Sequence, residues 1–164
     1  MTEPVATPRR RILAAIDFSP ESVGVVAAAV SLAGSCGGAI EVLFVLPYEA
    51  PSRARRTQAA VDPVVTGDVE GLLAPARASG IPVRVCLRIG RPAGEILAEI
   101  RHAAPDVAVL GTHGHRGDRR RALGSVASEV LRESPCPVVT IAQETRTGPG
   151  HPQFLRREPA ASRA

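Results

Sequence analysis

The chain has 164 residues, enough for a single domain with a substantial core. Apolar residues make up 45% of it and aromatic residues only 2%, so the core must consist of aliphatic side chains, as is typical of a parallel sheet covered by helices. All 20 basic residues are arginine, which excludes a P-loop lysine, a Schiff-base lysine and a lysine general base.

The net charge of +4 comes from the two ends of the chain. Residues 1–11 hold three arginines against one acid, and residues 144–164 hold four arginines against two acids. The thirteen arginines between them are balanced by thirteen acids. Because a duplex-binding protein needs basic residues clustered on its folded domain, this distribution argues against nucleic acid as a partner.

Three cysteines, Cys36, Cys86 and Cys136, are widely spaced and form no CxxC pair. Such a set is typical of reduced, buried thiols and not of a disulfide framework or a zinc site. The apolar run that follows Arg9–Arg11 is interrupted at Asp17. We therefore expect no signal peptide, no membrane span and a cytoplasmic protein.

The first predicted unit is a strand, a turn and a helix. Residues 1–10 are polar and predict a flexible N-terminal arm, and Arg11–Ile16 predicts a strand. Ser19 is then expected to be the N-cap and Pro20 the first helical residue. Apolar residues at helical spacing run to a break at Gly34–Gly38: Val23, Val26, Ala27, Val30 and Ala33.

A second unit begins with Ile40–Leu46, an almost unbroken apolar run that predicts a strand covered on both faces. Residues 48–67 are rich in arginine and proline without a clear period, which predicts a mobile loop with at most a short helical piece. Asp68–Ser79 has helical spacing, but Gly71 and Pro75 lie inside it. We therefore expect a short or kinked helix there.

Pro82–Ile89 alternates between apolar residues and Arg84, Cys86 and Arg88, which predicts a half-exposed strand at the edge of a sheet. A helix is expected to begin at Pro92 and to continue to Ala104. Two strands, a glycine-containing loop and a helix complete the pattern: Asp106–Leu110, the loop, the helix face of Leu123, Ala127, Val130 and Leu131, and Val138–Ala142.

Five strands that alternate with helices predict a single α/β domain with a five-stranded parallel, doubly wound sheet. We assign it to residues 11–143 and expect a disordered tail over residues 144–164. In such folds ligands bind beyond the carboxyl ends of the strands. The loop after the first strand and the glycine loop after the fourth line one crevice if those strands are neighbours, which predicts the order 3-2-1-4-5.

The glycine loop carries the most informative spacing in the sequence. Gly111 is followed by two residues, Gly114, nine residues, and then Gly124 and Ser125. A strand, a glycine loop and a helix N-terminus present unpaired N–H groups and the positive end of a helix dipole, while the missing side chains let phosphates approach the backbone. The four arginines of residues 116–121 could add attraction for a polyphosphate. The pattern indicates a nucleotide site.

Four segments of the chain resemble the universal stress protein family: ILAAIDFSPES, IGRPAGEIL, DVAVLGTHGHRG and LGSVASEVLRESPCPVVTI, within residues 11–142. The intact Gly-x2-Gly-x9-Gly-Ser spacing is similar to that of the ATP-binding branch of the family. The resemblance implies a Rossmann-like fold of the adenine nucleotide alpha hydrolase type. It says nothing about the Arg-rich segment of residues 48–67 or about the tail.

Transferred residue by residue, the resemblance implies an ATP site, with Mg2+ as a possible companion. Three positions would serve the adenosine end: Asp17 and the backbone of Ala15 and Val45. Three would contact ribose and phosphate: Gly111, Thr112 and Gly114. The outer phosphates would lie at the start of the following helix, on Gly124, Ser125 and Val126.

Each of these residues also has a purely structural interpretation. Asp17 could only cap the following turn, and the glycines could serve turn geometry alone. His113 and His115 lack further ligands beside them in sequence, so we expect no metal site there. No GxSxG motif surrounds Ser125, which argues against a serine hydrolase.

The leading hypothesis is an ATP-binding, nucleotide-responsive regulatory or protective module with an unidentified protein partner. Under this hypothesis we do not expect an efficient enzyme, because no general base is evident, and we expect at most slow ATP hydrolysis. One alternative is a nucleotide-independent interaction module of the same fold. A nucleotidyl or phosphoryl transferase is a third, disfavoured because no further catalytic motif is present.

The final strand bears on oligomeric state. Residues 137–142 are apolar and are expected at the edge of the sheet, where an unpaired strand is usually covered. Family members that resemble this chain pair across a two-fold axis there, which implies a homodimer through the final strand.

Overall fold

The computed structural model of the protein describes residues 10–47, 63–113 and 123–142. Several expectations fall outside these ranges, namely the N-terminal arm before residue 10, residues 48–62 of the Arg-rich segment, Gly114, the arginines of residues 116–121, and the tail. None of the helices within the described ranges is long and apolar enough to cross a membrane.

Five parallel strands form one sheet in the order β3-β2-β1-β4-β5. The strands are β1 Arg11–Ile16, β2 Ala39–Leu46, β3 Val83–Ile89, β4 Val107–Gly111 and β5 Val138–Ile141. Both the predicted α/β class and the predicted strand order are confirmed. The two central strands, β1 and β4, are aliphatic and almost wholly buried, because helices cover both faces of the sheet.

Within the described ranges, the helices between the strands are α1 Glu21–Cys36, α2 Pro63–Ala78, α3 Pro92–Ala103 and α4 Ser125–Glu133. Alternate residues of each central strand enter two separate cores. Ile12 and Ala14 pack with α1 and α2 on one face, whereas Leu13 and Ala15 pack with α3 and α4 on the other. Each fully buried Val, Leu or Ile stabilises the fold by about 1.5–3 kcal/mol, so two-sided burial makes β1 the centre of the domain.

Helix α2 is longer than the sequence indicates. It begins at Pro63, so the expected loop over residues 63–67 is wrong, and so is the expected helix start at Asp68. Proline has no backbone N–H, and the N–H of the first helical residue has no acceptor within the helix, so proline suits a helix start. The helix continues past Pro75 because the fully buried side chains of Leu73 and Ala76 pack against the core on either side of it.

Some residues predicted on apolar helix faces are exposed, namely Val23, Ala27 and Leu131. Val23 is 54% exposed and Leu131 is 41% exposed. Each of the three follows a buried residue by one position, and one helical step turns a side chain about 100° away from its neighbour. Leu123, expected on the face of the last helix, packs against the core from a position before that helix begins.

The edge position of β3 is confirmed, but its two faces are not covered as the alternation suggests. Val85, on the apolar side, is 44% exposed. On the other side, Cys86 packs against the core beneath α3, and Arg88 donates a hydrogen bond to the buried Glu99 of that helix. The face of this strand that carries Cys86 and Arg88 therefore packs beneath α3.

Candidate functional site

The candidate site lies where the connections from β1 and β4 diverge. The two strands are neighbours, with Ala15 paired to Leu110. The chain leaves β1 for α1 on one face of the sheet and leaves β4 for α4 on the other. A crevice at the carboxyl ends of two such strands is the usual ligand position in doubly wound folds. The structure brings Asp17 and the glycine loop to this edge, as predicted.

The turn after β1 is closed by Asp17. Its Oδ1 accepts a hydrogen bond from the backbone N–H of Ser19 at 2.9 Å and from the Ser22 hydroxyl at 3.4 Å. Helix α1 begins at Glu21, after Pro20, and no side chain caps it, so the predicted N-cap role of Ser19 is wrong. In this turn the side chain that accepts a hydrogen bond is that of Asp17, whose Oδ1 accepts the backbone N–H of Ser19. The capping interpretation of Asp17 thus has a direct structural basis.

Phe18, the residue after Asp17, has a left-handed backbone with φ of 61°. This conformation is an outlier for a bulky side chain and needs support from its surroundings. The support comes from Phe44 of β2, whose ring lies edge-on to that of Phe18 with centroids 4.7 Å apart. The turn that presents Asp17 is thereby attached to a second strand.

Glu21 is a site residue that the sequence reasoning missed. Although charged, it is only 6% exposed, and it accepts a hydrogen bond from the backbone N–H of His113 at 2.8 Å. Its two carboxylate oxygens also lie 3.3 and 3.4 Å from the Thr112 hydroxyl. A carboxylate on the first turn of α1 therefore holds the start of the glycine loop. Its place on the first turn of a helix is an ordinary one for an acidic residue, so the sequence carries no signal of this contact.

The position of Glu21 leaves little room for a side chain at Gly111. A Cβ at Gly111 would lie 2.6 Å from Glu21 Oε2, a distance that real side chains do not adopt. Gly124 is also closely approached, since a Cβ there would lie 3.1 Å from the backbone carbonyl of Thr112. The two glycines therefore do more than permit turns, because the Glu21 carboxylate and the Thr112 carbonyl lie against the positions where their side chains would be.

The two ends of the glycine loop are joined directly. The backbone N–H of Gly124 donates to the carbonyl of Thr112 at 2.7 Å, and the N–H of Thr112 donates to the carbonyl of Ile141 in β5 at 2.9 Å. The Thr112 hydroxyl also lies 3.0 Å from Nδ1 of His113. Thr112 thus links the loop, α4 and the last strand.

Helix α4 begins beside this link. Gly124 occupies its N-cap position with extended backbone, and a glycine supplies no side-chain cap to the first-turn N–H groups. Ser125 is exposed and Val126 is half-buried. The first N–H groups of a helix carry a partial positive charge and suit an anionic ligand. The start of α4 can therefore accept phosphate oxygens.

The other predicted site residues divide into two groups. The side chains of Ala15 and Val45 are buried in the core on the α3 and α4 face, so only their backbone groups are available to a ligand. Gly114 lies outside the described residues. In the part of the chain that the structure describes, no group of three metal-ligating side chains includes a residue of this site.

Comparison with known proteins assigns the chain to a family. Residues 8–142 match the universal stress protein family. A universal stress protein of Methanocaldococcus jannaschii, MJ0531, is 36% identical over 62 residues. That match spans 38% of this chain and 36% of the relative, so the chain covers about a third of the length of the relative.

Three solved structures have the same fold at low sequence identity. The hypothetical protein MJ0577 has a TM-score of 0.68 at 18% identity, over 85% of this chain and 99% of its own. A universal stress protein in complex with cAMP has a TM-score of 0.61 at 20% identity, over 80% and 95% of the two chains. A family protein from Arabidopsis thaliana with AMP bound has a TM-score of 0.58 at 19% identity, over 83% and 93%. Since the family match covers most of the sequence, the chain belongs to the universal stress protein family.

Proposed function

We propose that this universal stress protein binds ATP at the carboxyl ends of β1 and β4 and acts as a nucleotide-responsive regulatory or protective module. The observation that carries the proposal is the N-terminus of α4, which begins after a glycine N-cap at the carboxyl ends of β1 and β4. Such a helix start suits phosphates, which approach backbone N–H groups closely. The structures of relatives with cAMP and AMP support an adenine nucleotide.

In this proposal each end of the nucleotide has its own residues. Asp17 and the backbone of Ala15 and Val45 serve the adenosine end. Gly111, Thr112 and Gly114 serve ribose and phosphate, and Gly124, Ser125 and Val126 serve the outer phosphates. Glu21 is added as a positioning residue, because it accepts hydrogen bonds from the Thr112 hydroxyl and from the backbone N–H of His113. Mg2+ would accompany the phosphates and offset their charge.

Binding, and not turnover, is the activity that these residues support. Asp17 Oδ1 is engaged in its own turn, and Glu21 accepts hydrogen bonds from the loop backbone and the Thr112 hydroxyl. The chain has no lysine to contact a transferring phosphate. We therefore propose at most slow hydrolysis and do not favour the transferase alternative.

Homodimer formation through β5 is part of the same proposal. The strand is the last in the sheet, and Val139 on it is 37% exposed. A second copy would cover this edge. Light scattering at micromolar concentration is expected to give a dimer, and a monomer would contradict it. A dimer that never binds nucleotide would instead favour the interaction-module alternative.

The nucleotide proposal is tested by native mass spectrometry of freshly purified protein, followed by ATP titration with and without Mg2+. We expect co-purified adenine nucleotide or a clear thermal shift at millimolar ATP. Gly124→Val should abolish binding, because its side chain would enter the space beside Thr112. Gly34→Val is the matched control, since a Cβ at Gly34 meets nothing within 4 Å.

The outcomes separate clearly. Absence of both bound nucleotide and thermal shift in the wild type would overturn the proposal. Normal binding by a folded Gly124→Val variant would show that α4 does not hold the phosphates. Circular dichroism of each variant distinguishes loss of binding from loss of fold.

A further inference from the structure

A second cluster of polar side chains lies beneath α3 at the β3 edge of the sheet. Glu41 on β2, Cys86 on β3 and Glu99 on α3 each offer a ligand atom, and the three atoms all lie within 4.8 Å of one another. We call this group the Glu41–Cys86–Glu99 cluster. It shares only strand β2 with the nucleotide site, which uses Val45 of that strand, and it plays no part in the function proposed above.

The cluster is partly buried, and its polar groups are incompletely paired. Glu99 is only 3% exposed and accepts a hydrogen bond from Nη2 of Arg88. Oε1 of Glu41 is buried and has no hydrogen-bond partner among the described residues, and Nε of Arg88 shares that condition. A buried carboxylate oxygen without a hydrogen-bond donor costs free energy, so a cation that contacted this oxygen would stabilise the cluster.

One guanidinium lies among these groups. Nη2 of Arg88 donates to Glu99, and Nη1 of Arg88 lies 3.7 Å from Glu95 on its other side. Arg84, the strand partner of Glu41 on β3, is exposed. The buried Oε1 of Glu41 therefore remains available to a further cation.

We propose that the Glu41–Cys86–Glu99 cluster binds a thiophilic divalent cation, with Zn2+ as the best chemical match. Sulfur disfavours Mg2+ and Ca2+, which prefer oxygen ligands alone. Zn2+ takes thiolate and carboxylate ligands together at about 2.0–2.3 Å, which corresponds to ligand atoms roughly 3.4–3.8 Å apart. Side-chain movement of about an ångström therefore suffices to complete three of four tetrahedral positions.

Charge balance explains why Arg88 belongs to this site. One thiolate and two carboxylates are neutralised by one guanidinium and one divalent ion. Arg88 would remain on the outer oxygen of Glu99 and orient it, as hydrogen-bonded partners do around most metal ligands. Since the three ligands come from β2, β3 and α3, the bound ion would fasten the edge of the sheet to the helix that covers it.

Cobalt titration tests the proposal, because a thiolate bound to Co2+ gives a charge-transfer absorption in the near ultraviolet. The protein is the full chain with Cys36→Ser and Cys136→Ser, which leaves Cys86 as its single thiol. We expect one equivalent of Co2+ to produce the band and Zn2+ to displace it. Histidine or carboxylate sites elsewhere in the chain cannot give a sulfur band.

Three variants in that background define the ligands. Cys86→Ser should abolish the band, and Glu41→Gln should weaken Co2+ binding by more than about 100-fold, the upper limit for loss of an outer partner. Glu70→Gln is the matched control, because Glu70 is an exposed carboxylate paired with Arg77 on α2. It should bind Co2+ as the parent does.

The absence of a sulfur band in the folded parent protein would overturn the proposal. So would unchanged affinity in Glu41→Gln. Folding of each variant is checked by circular dichroism without metal, and the parent titration decides the question even where a variant fails to fold. Nucleotide binding is measured separately, so failure of the metal site leaves the ATP proposal intact.

Discussion

The two candidate sites of this protein are built in opposite ways. The nucleotide edge at β1 and β4 depends on backbone groups and on the absence of side chains at Gly111 and Gly124. The cluster beneath α3 depends on ionisable side chains of Glu41, Cys86 and Glu99 packed against one another. The first is therefore sensitive to added volume and the second to removed charge. Substitutions of these two kinds should separate the sites.

The largest expected effect is on the side-chain cluster. Glu99→Ala removes the buried partner of Arg88 and should lower the free energy of unfolding by about 3 kcal/mol, the lower end of the range for broken buried ion pairs. The lower end applies because the Arg88 side chain is 32% exposed. Urea denaturation in the presence of a chelator measures the loss without any contribution from metal.

The matched variant is Glu129→Ala. Glu129 on α4 also pairs with an arginine, Arg91, through two hydrogen bonds of 2.6 Å, but that arginine is largely exposed. An exposed pair contributes at most about 1 kcal/mol, so this variant should lose much less stability. Equal losses in the two variants would show that burial does not distinguish the pairs.

A smaller effect is expected when volume is added at the nucleotide edge. Gly111→Ala places a Cβ 2.6 Å from Glu21 Oε2 and forces that carboxylate away from the backbone N–H of His113. We expect a loss of about 1–3 kcal/mol in stability together with weaker ATP binding. Thermal denaturation and nucleotide titration measure the two effects.

Gly34→Ala is the control for added volume, because its Cβ meets open space on an exposed part of α1. It should raise the free energy of unfolding by roughly 0.5–1 kcal/mol, because alanine is more favourable than glycine in a helix interior. If Gly111→Ala retained wild-type stability and binding, the contact with Glu21 would not constrain the loop.

The smallest effect concerns a charge that lies in neither site. The carboxylate of Asp106, just before β4, accepts hydrogen bonds of 2.8 Å from the backbone N–H of Arg11 and from the Arg10 guanidinium. These contacts, with the backbone N–H first, lower the pKa of Asp106 below its ordinary value of 3.8. The folded state thus favours the charged form.

Stability from this group is present above the unfolded-state pKa and is lost as pH falls through the folded-state pKa. Asp106→Asn should therefore lower the melting temperature at neutral pH, and its difference from wild type should shrink below pH 3.8. Melting curves from neutral to acidic pH measure this. A constant difference across the series would contradict the assigned charge effect.

Most of the fold was predictable because hydrophobic period and turn residues report on local structure. Strand β1 has the predicted bounds, and the predicted strand order is confirmed. Helix α2 was misjudged because residues 63–67 show no clear period, and burial of Leu73 and Ala76 outweighs the helix-breaking tendency of Pro75.

The two sites differ in how much the sequence discloses. The glycine spacing lies in one stretch and could be interpreted directly, whereas Glu41, Cys86 and Glu99 are far apart and meet only through pairing of β2 with β3 and packing of α3. Glu21 was overlooked because an acidic residue at a helix start is ordinary. Only the position of Thr112 and His113 above it reveals its second role.

The hydrogen bond between Gly124 and Thr112 has a consequence for how this protein can diverge. It joins the two residues on either side of residues 113–123, so it fixes the distance between the ends of that segment. Loop-closure entropy rises slowly with length, by only about 0.6 kcal/mol for each doubling. Changes of sequence or length in the segment are therefore expected to alter ligand preference before they alter the fold.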